Sequence, residues 1–359
     1  MAAGRGTDDD ALSAARRPTI KDVARRAGVS FKTVSRVMNG DPRVNAAMRE
    51  AVEAAMAGLG YRPHRAARAL RSSRTFAIAL LAGRRTEPAA GEPSQFPEYL
   101  GEVIAGCARA CRPAGYHLVL ELLVYGDRRK ASAVAGALLD DLAPDGVVLT
   151  PPLCDLGWLL DILEQRAIPY ARLMPGTAPG RGLCFTVDDF AAARAMTARL
   201  LAHGHRELAF IAGPPDHLAA RDRREGFEAA IAACPGARAR IGEGDFFPDS
   251  GERAALRLLA GAGRPTALFA ANDSMAAGVL RAAGKLGLAV PRDLAVAGFD
   301  DSSIAGLMGL SSVRQPTAEL ARRAAASLIA AAGNHEPPQP AATRLDCAII
   351  ERSSTARTS

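Results

Sequence analysis

Between Thr19 and Asn45 the chain has to stop and restart twice within one short stretch. The run reads Thr19-Ile-Lys-Asp-Val-Ala-Arg-Arg-Ala-Gly28-Val-Ser30-Phe-Lys-Thr-Val-Ser-Arg36-Val-Met-Asn39-Gly-Asp-Pro-Arg-Val-Asn45. Thr19 is a good N-cap, and Asp22 three residues on suits the N-terminal dipole end of a helix. Gly28 supplies a left-handed C-terminal residue, and Ser30 caps the next helix, Phe31 to Met38. Val23, Ala24 and Ala27 form one apolar face, and Val34 with Val37 and Met38 another. Phe31, Lys32, Ser35 and Arg36 fall on the opposite side. Asn45 caps a third helix, Ala46 to about Leu59, whose Val52, Ala55, Met56 and Leu59 cover the first two. Helix, tight turn and helix is how a small unit puts side chains into a DNA major groove.

Charge agrees with that reading. Residues 16–75 hold fourteen Lys and Arg against four acids, a local charge of +10, whereas the whole chain carries +7. The remainder therefore sums to −3, and the basic character is confined to one region, as polyanion binding requires. Pro63 opens a short Ala/Arg segment, 63–71, that lacks a hydrophobic face and is too short to be a stable isolated helix.

From Phe76 the pattern changes. Apolar runs at Phe76–Ala82, Tyr116–Val124, Gly146–Thr150, Ile168–Leu173, Leu183–Val187, Glu207–Ala212, Thr266–Ala270, Leu294–Gly298, Ser312–Gln315 and Leu345–Ile350 alternate with stretches of helical period. Examples of the latter are Val103–Arg112, Ala191–Leu201, Leu218–Ala233 and Ser274–Leu286. Alternation with continuously apolar strands predicts parallel sheets covered on both faces. Ligands of such sheets bind at the carboxyl ends of the strands. Asp188 and Asp189, Arg221, Arg223 and Arg224, Asn272 and Asp273, and Asp300 and Asp301 all follow strands in this way. Carboxylates with a bidentate guanidinium suit a polyhydroxylated ligand. The competing reading, strongest for Asp188 and Asp273, is simple N-capping; for Phe31 it is a core aromatic.

Residues 18–75 closely resemble the headpiece of LacI/GalR-type bacterial transcription regulators. The matching strings are Thr-Ile-Lys-Asp-Val-Ala, Ala-Gly-Val-Ser, Thr-Val-Ser-Arg-Val-Met-Asn and Leu-Gly-Tyr-Arg-Pro-His-Arg-Ala-Ala-Arg-Ala-Leu. One departure is Met48, where the family often has Thr. Residues 76–359 resemble the same family's core through His-Gly-His-Arg, Ile-Ala-Gly-Pro, Ala-Asn-Asp-Ser-Met-Ala and Val-Ala-Gly-Phe-Asp-Asp. The resemblance implies a small all-α helix-turn-helix headpiece (18–62), a hinge helix and linker (63–75) and an α/β periplasmic-binding-protein-like core of two Rossmann-like lobes (76–359). Crossings between lobes are expected near 202–204, 315–317 and 340, giving lobe 1 as 76–202 and 316–340 and lobe 2 as 203–315 and 341–359. Residues 1–17, with Asp8-Asp9-Asp10, read as a disordered leader.

The resemblance also implies roles. Phe31, Lys32 and Arg36 would contact base edges, Arg36 being able to take guanine bidentately. Thr19, Ser30, Ser35, Asn39 and Asn45 would bond phosphates. Leu70 would wedge into the minor groove at the operator centre, with Ala66 and Ala67 permitting close approach. Asp189, Arg223, Asn272 and Asp300 would contact the effector, with Phe246 as an apolar wall and Gln95 and Phe96 as further candidates. The implied function is a repressor of a pseudo-palindromic double-stranded operator, released by a small-molecule effector, a sugar or sugar derivative. Corepression, for example by a nucleobase, and a solute-binding protein of the same core are the alternatives.

No cofactor is expected. G-x-G-x-x-G after a strand, a Walker loop and a G-x-S-x-G elbow are all missing, which argues against an enzyme. The six cysteines lack paired metal spacing, and scattered thiols suit a reducing compartment; Cys107 and Cys111 read as core residues. With no membrane-length apolar run, the expectation is a cytoplasmic, nucleoid-associated protein. Two half-sites imply a homodimer, and no C-terminal leucine heptad argues for a tetramer.

Overall fold

A computed structural model describes residues 18–38, 41–61, 74–87, 98–334 and 339–356. The chain divides into two compact units, Met1–Thr75 and Phe76–Ser359.

The first unit contains α1 (Ile20–Ala27), α2 (Phe31–Met38) and α3 (Ala46–Leu59). Local chemistry sets each boundary. The Thr19 backbone N–H and hydroxyl both donate to the Asp22 carboxylate, at 2.8 and 2.6 Å. Gly28 ends α1 at φ 66°, and Gly60 ends α3 at φ 59°, in the left-handed region where glycine is unstrained. Ser30 Oγ accepts the Thr33 N–H at 3.1 Å, and Asn45 Oδ1 accepts the Met48 N–H at 2.8 Å. The shared core is small: Val23, Ala24, Val34, Val37, Val52 and Ala55, flanked by partly buried Met38, Met56 and Leu59 among others.

The second unit is built on two six-stranded sheets. The first lobe pairs its strands in the order β11-β5-β4-β3-β1-β2. These are β1 (Ala77–Arg84), β2 (His117–Val124), β3 (Gly146–Leu149), β4 (Tyr170–Leu173), β5 (Leu183–Thr186) and β11 (Ala341–Arg344), all parallel. The helices α4 (Tyr99–Cys111), α5 (Arg128–Leu142), α6 (Gly157–Gln165) and α12 (Thr317–Asn334) belong to this lobe. Along β1, Ile78, Leu80 and Ala82 enter one apolar cluster while Ala79 and Leu81 enter the other. Both faces are covered, so the strand reads as continuously apolar.

The second lobe runs β12-β10-β9-β8-β6-β7. Its strands are β6 (Glu207–Ala212), β7 (Arg238–Glu243), β8 (Ala267–Ala270), β9 (Ala295–Asp300), β10 (Ser311–Arg314) and β12 (Ala348–Ile350). The last pairs antiparallel with β10. Its helices are α7 (Asp189–Ala202), α8 (Leu218–Ala232), α9 (Pro248–Leu258), α10 (Asp273–Lys285) and α11 (Ser303–Leu307).

Two of the expected crossings are corrected. Ala193, Met196, Leu200 and Leu201 of α7 lie in the second lobe's core, so the chain crosses between Val187 and α7 rather than at 202–204. The pattern reads Leu345–Ile350 as one strand, but β11 adds to β5 in the first lobe and β12 to β10 in the second. The third crossing is therefore at 345–347 rather than 340, and Cys347 packs against both cores. The remaining crossing lies between β10 and α12, at Gln315 and Pro316. Strand β7 escaped the pattern because Arg238-Ala-Arg-Ile-Gly-Glu243 is a half-exposed edge without an apolar run. Among the described residues, no helix is long and apolar enough to cross a membrane.

Candidate functional site

On the small unit, α2 turns Val34 and Val37 into the core and leaves Phe31, Lys32 and Arg36 outside. Phe31 is 58 % exposed. The core-aromatic reading of Phe31 is therefore wrong: a large apolar ring is held in water at the first turn of a helix. Ser35 is half-buried on the same helix. Thr19, Ser30 and Asn45 each sit at a helix N-terminus, where backbone N–H groups face outward toward any anion. Behind Arg36, the Asp41 carboxylate is gripped by Arg43 Nε and Nη2 at 3.0 and 2.8 Å, with Arg36 Nε 4.0 Å away. Hydrogen bonds from Arg43 hold the Asp41 carboxyl down at about 2. Asn39, Ala66, Ala67 and Leu70 lie outside the described residues, as do Gln95 and Phe96.

In the large unit, side chains from strand ends of both lobes meet in one cleft. Arg223 stands in the first turns of α8, with its side chain only 5 % exposed. Its Nε donates to Asp189 Oδ1 at 2.7 Å and its Nη1 to the Ala271 carbonyl at 2.8 Å. Asp300 Oδ1 is 3.7 Å from Nη1, and the guanidinium lies 3.8 Å over the centre of the Phe299 ring. Burial would lower the Arg223 value, but the Asp189 and Asp300 carboxylates raise it. Its neighbours Arg221 and Arg224 instead pair with Glu225 and Glu228 on the helix surface.

Asn272 caps α10 by accepting the Met275 N–H at 2.9 Å, and its Nδ2 donates to the Phe246 carbonyl at 3.0 Å. That bond helps hold Phe246 at φ 71°, a backbone region rare for a bulky residue. Asp300 is likewise left-handed at φ 108°, and accepts from Gln315 Nε2 at 2.6 Å. Burial pushes its carboxyl up to about 6 despite Arg223.

The capping alternative holds for Asp188, whose Oδ1 accepts the Ala191 N–H at 2.8 Å while Oδ2 pairs with Arg344. It fails for Asp273, because Asn272 takes the cap. Asp273 is buried beneath the cleft instead, accepting from Ser312 Oγ at 2.6 Å and the Ser302 N–H at 2.7 Å.

Arg223, Phe246, Asn272 and Asp300 line a recess of about 30 Å³, with Asp189 behind them on Arg223. The recess shares Tyr99, Pro151, His217 and Phe246 with a cavity of about 370 Å³ between the lobes. That volume is in the range of small-molecule pockets. Sequence reasoning missed Glu98, Tyr99, His217 and Gln315. Tyr99 and Glu98 open a helix whose onset no cap residue announces, and His217 precedes α8 in an irregular turn. Gln315 was legible only as a strand end. Burial drives the His217 imidazole down to about 4, so it is neutral near pH 7.

Two family models match the chain: bacterial regulatory proteins of the lacI family over residues 19–64, and a periplasmic binding protein-like domain over 197–355. The HTH-type transcriptional regulator CelR of Thermobifida fusca is 35% identical over 345 residues, 94% of this chain and 98% of that protein. A solved CelR–cellobiose complex is 33% identical, covers 94% of this chain and 100% of the other, and has a TM-score of 0.68. The Lac repressor dimer bound to operator and an anti-inducer is 26% identical over 95% of this chain and 100% of its own, with a TM-score of 0.76. All three are transcription regulators rather than enzymes, and identity over nearly the whole of both chains is decisive: this chain belongs to the lacI family of bacterial regulatory proteins.

Proposed function

We propose that the protein is a transcriptional repressor that leaves its operator when a carbohydrate occupies the interlobe cleft. The observation that carries this reading is the cluster of Arg223, Asp189, Asp300 and Asn272 at the end of a cavity walled by Tyr99 and Phe246. Carboxylate and amide groups match adjacent hydroxyls, while aromatic walls accept the apolar faces of a sugar ring. CelR, the relative solved with cellobiose, points to the same ligand class.

On DNA, α2 supplies Phe31, Lys32 and Arg36 to base edges. Thr19, Ser30, Ser35 and Asn45 take phosphates, with Asn39 as a further phosphate contact. Residues 63–75 supply a hinge whose Leu70 and Ala67 enter the minor groove. Two copies bind one pseudo-palindromic operator; the Lac repressor, too, is seen as a dimer bound to operator. The setting is the cytoplasm, at the nucleoid. Ligand acts by favouring one lobe arrangement, and a few kcal/mol of differential affinity is enough to shift the population.

The test is a mobility shift with DNA from upstream of the protein's own gene, at fixed salt, against cellobiose, ribose, other sugars and nucleobases. Specific binding abolished by one sugar is the expected result. Binding that requires the ligand reverses the sign to corepression. Specific binding that no small molecule alters overturns the effector role of the cleft.

A further inference from the structure

Three residues that line the narrow recess each carry a shielded polar atom without a hydrogen-bond partner: Glu98 Oε2, His217 Nδ1 and Gln315 Oε1. Shielded polar atoms are nearly always paired in folded proteins, so three around one recess mark a place where something else supplies the partner. At about 30 Å³ the recess admits one small group of water size.

The polarity of that group is fixed by its surroundings. Gln315 is 7 % exposed, and its Nε2 is committed to Asp300 Oδ1 at 2.6 Å. The amide orientation is thereby set, and Oε1 can only accept. The Glu98 carboxylate can only accept as well, and His217 Nδ1 takes either role. Arg223, the cation among the described lining residues, spends Nε on Asp189 and Nη1 on the Ala271 carbonyl, so that one positive charge stands beside the three carboxylates of Asp189, Asp300 and Glu98. The entering group therefore faces at least two acceptors, beside the carboxylates of Glu98 and Asp300. Those two charges are near enough to act on each other: after burial, the charges of Asp189 and Glu98 help push the Asp300 carboxyl up.

A hydroxyl has one proton to donate. An ammonium has three, together with a positive charge that offsets the carboxylates. We infer that the recess takes a protonated amino group, and that the effector is an amino sugar rather than a neutral one. The inference rests on the carbohydrate reading of the cleft and narrows it.

Calorimetric titration of the full-length protein separates the two. The probes are glucosamine, glucose, N-acetylglucosamine, the β-1,4-linked dimer of glucosamine, cellobiose and hypoxanthine. The amino form should bind about tenfold or more tightly than its neutral counterpart, and acetylation, which removes the charge, should abolish the advantage. Glu98→Gln should bring the ratio of amino-sugar to neutral-sugar affinity down to about one, whatever it does to either affinity alone. Equal binding of amino and neutral forms overturns the ammonium pocket and leaves the carbohydrate reading standing. So does a preference that persists in Glu98→Gln. Binding of hypoxanthine with no sugar bound overturns both.

Discussion

The headpiece and the cleft both depend on arginine, and they use it in opposite ways. The Arg36 side chain is 55 % exposed, and its nearest carboxylate is 4.0 Å away, already taken by Arg43. The Arg223 side chain is 5 % exposed and meets acceptors on two of its nitrogens and an aromatic face. An exposed guanidinium keeps its hydration and its freedom until a partner arrives, so it serves recognition at little cost to folding. A buried one has lost its water and depends on every partner it has. The first arrangement suits a surface that must find DNA, and the second a site where one arriving ligand can change which partner a charge has.

Removing the buried cation gives the largest effect. Arg223→Met leaves Asp189 and Asp300 facing each other without a counter-charge, and breaking a buried pair from one side costs about 3–5 kcal/mol. The large unit should melt at a markedly lower temperature in calorimetry, and the operator complex, measured in the cold, should ignore the effector. A native-like melt with a normal effector response would place Arg223 outside the functional cluster.

The cleft also holds a pH response opposite in sign to that of Asp41 in the headpiece. Burial, with the charge of Asp300 beside it, pushes the Asp273 carboxyl up from 3.8 to about 8. Between those values the folded protein keeps a proton that the unfolded chain has released. The associated stability is complete below about pH 4 and is lost as pH rises through 8. Melting temperatures of the native protein should therefore fall relative to Asp273→Asn across that window. Parallel curves would mean that Asp273 is ionised throughout.

These two regions were unequally legible in the sequence. Helix ends in the headpiece are dictated by Thr19, Gly28, Ser30 and Asn45, each of which acts on its own turn, so local reading reached them. Strands β1, β3 and β8 announce themselves because both faces are buried. The crossings are different in kind. Whether α7 packs on the first or the second lobe is decided by contacts of Met196 and Leu200 with distant strands, and no local signal distinguishes them. The division of the C-terminal segment into β11 (Ala341–Arg344) on the first sheet and β12 (Ala348–Ile350) on the second is hidden for the same reason. In the cleft, polar residues after strands stand out, and the family resemblance chose Asp189, Arg223, Asn272 and Asp300 from among them. Glu98, His217 and Gln315 were not found, since only three-dimensional convergence gives them a role.

On the headpiece the effect of a lost arginine is smaller and differs in character. Arg36→Ala should cost roughly 1–3 kcal/mol of specific binding and relax preference at one base pair, with the melting of the large unit unchanged. Selection of binding sites from a randomised pool would show the broadened position. Unchanged preference would make Arg36 a phosphate contact.

The smallest effect lies where the two uses of arginine meet, at the cavity rim. Arg85 Nη1 reaches across from the first lobe to Asp216 Oδ2 in the second at 2.6 Å. The two side chains are 70 % and 44 % exposed. This is a headpiece-like charge pair in a cleft setting, and exposed pairs contribute about 0–1 kcal/mol, less as salt rises. Its loss should therefore be read in rates rather than in stability. The pair bridges the lobes over the cavity mouth, so breaking it favours opening without disturbing the groups beneath. Arg85→Gln should speed both association and dissociation of the effector in stopped-flow measurements, by similar factors of a few, and should weaken the salt dependence of those rates. A change in dissociation alone would show instead that Arg85 touches the bound ligand, and the rim would then belong to the buried kind of site after all.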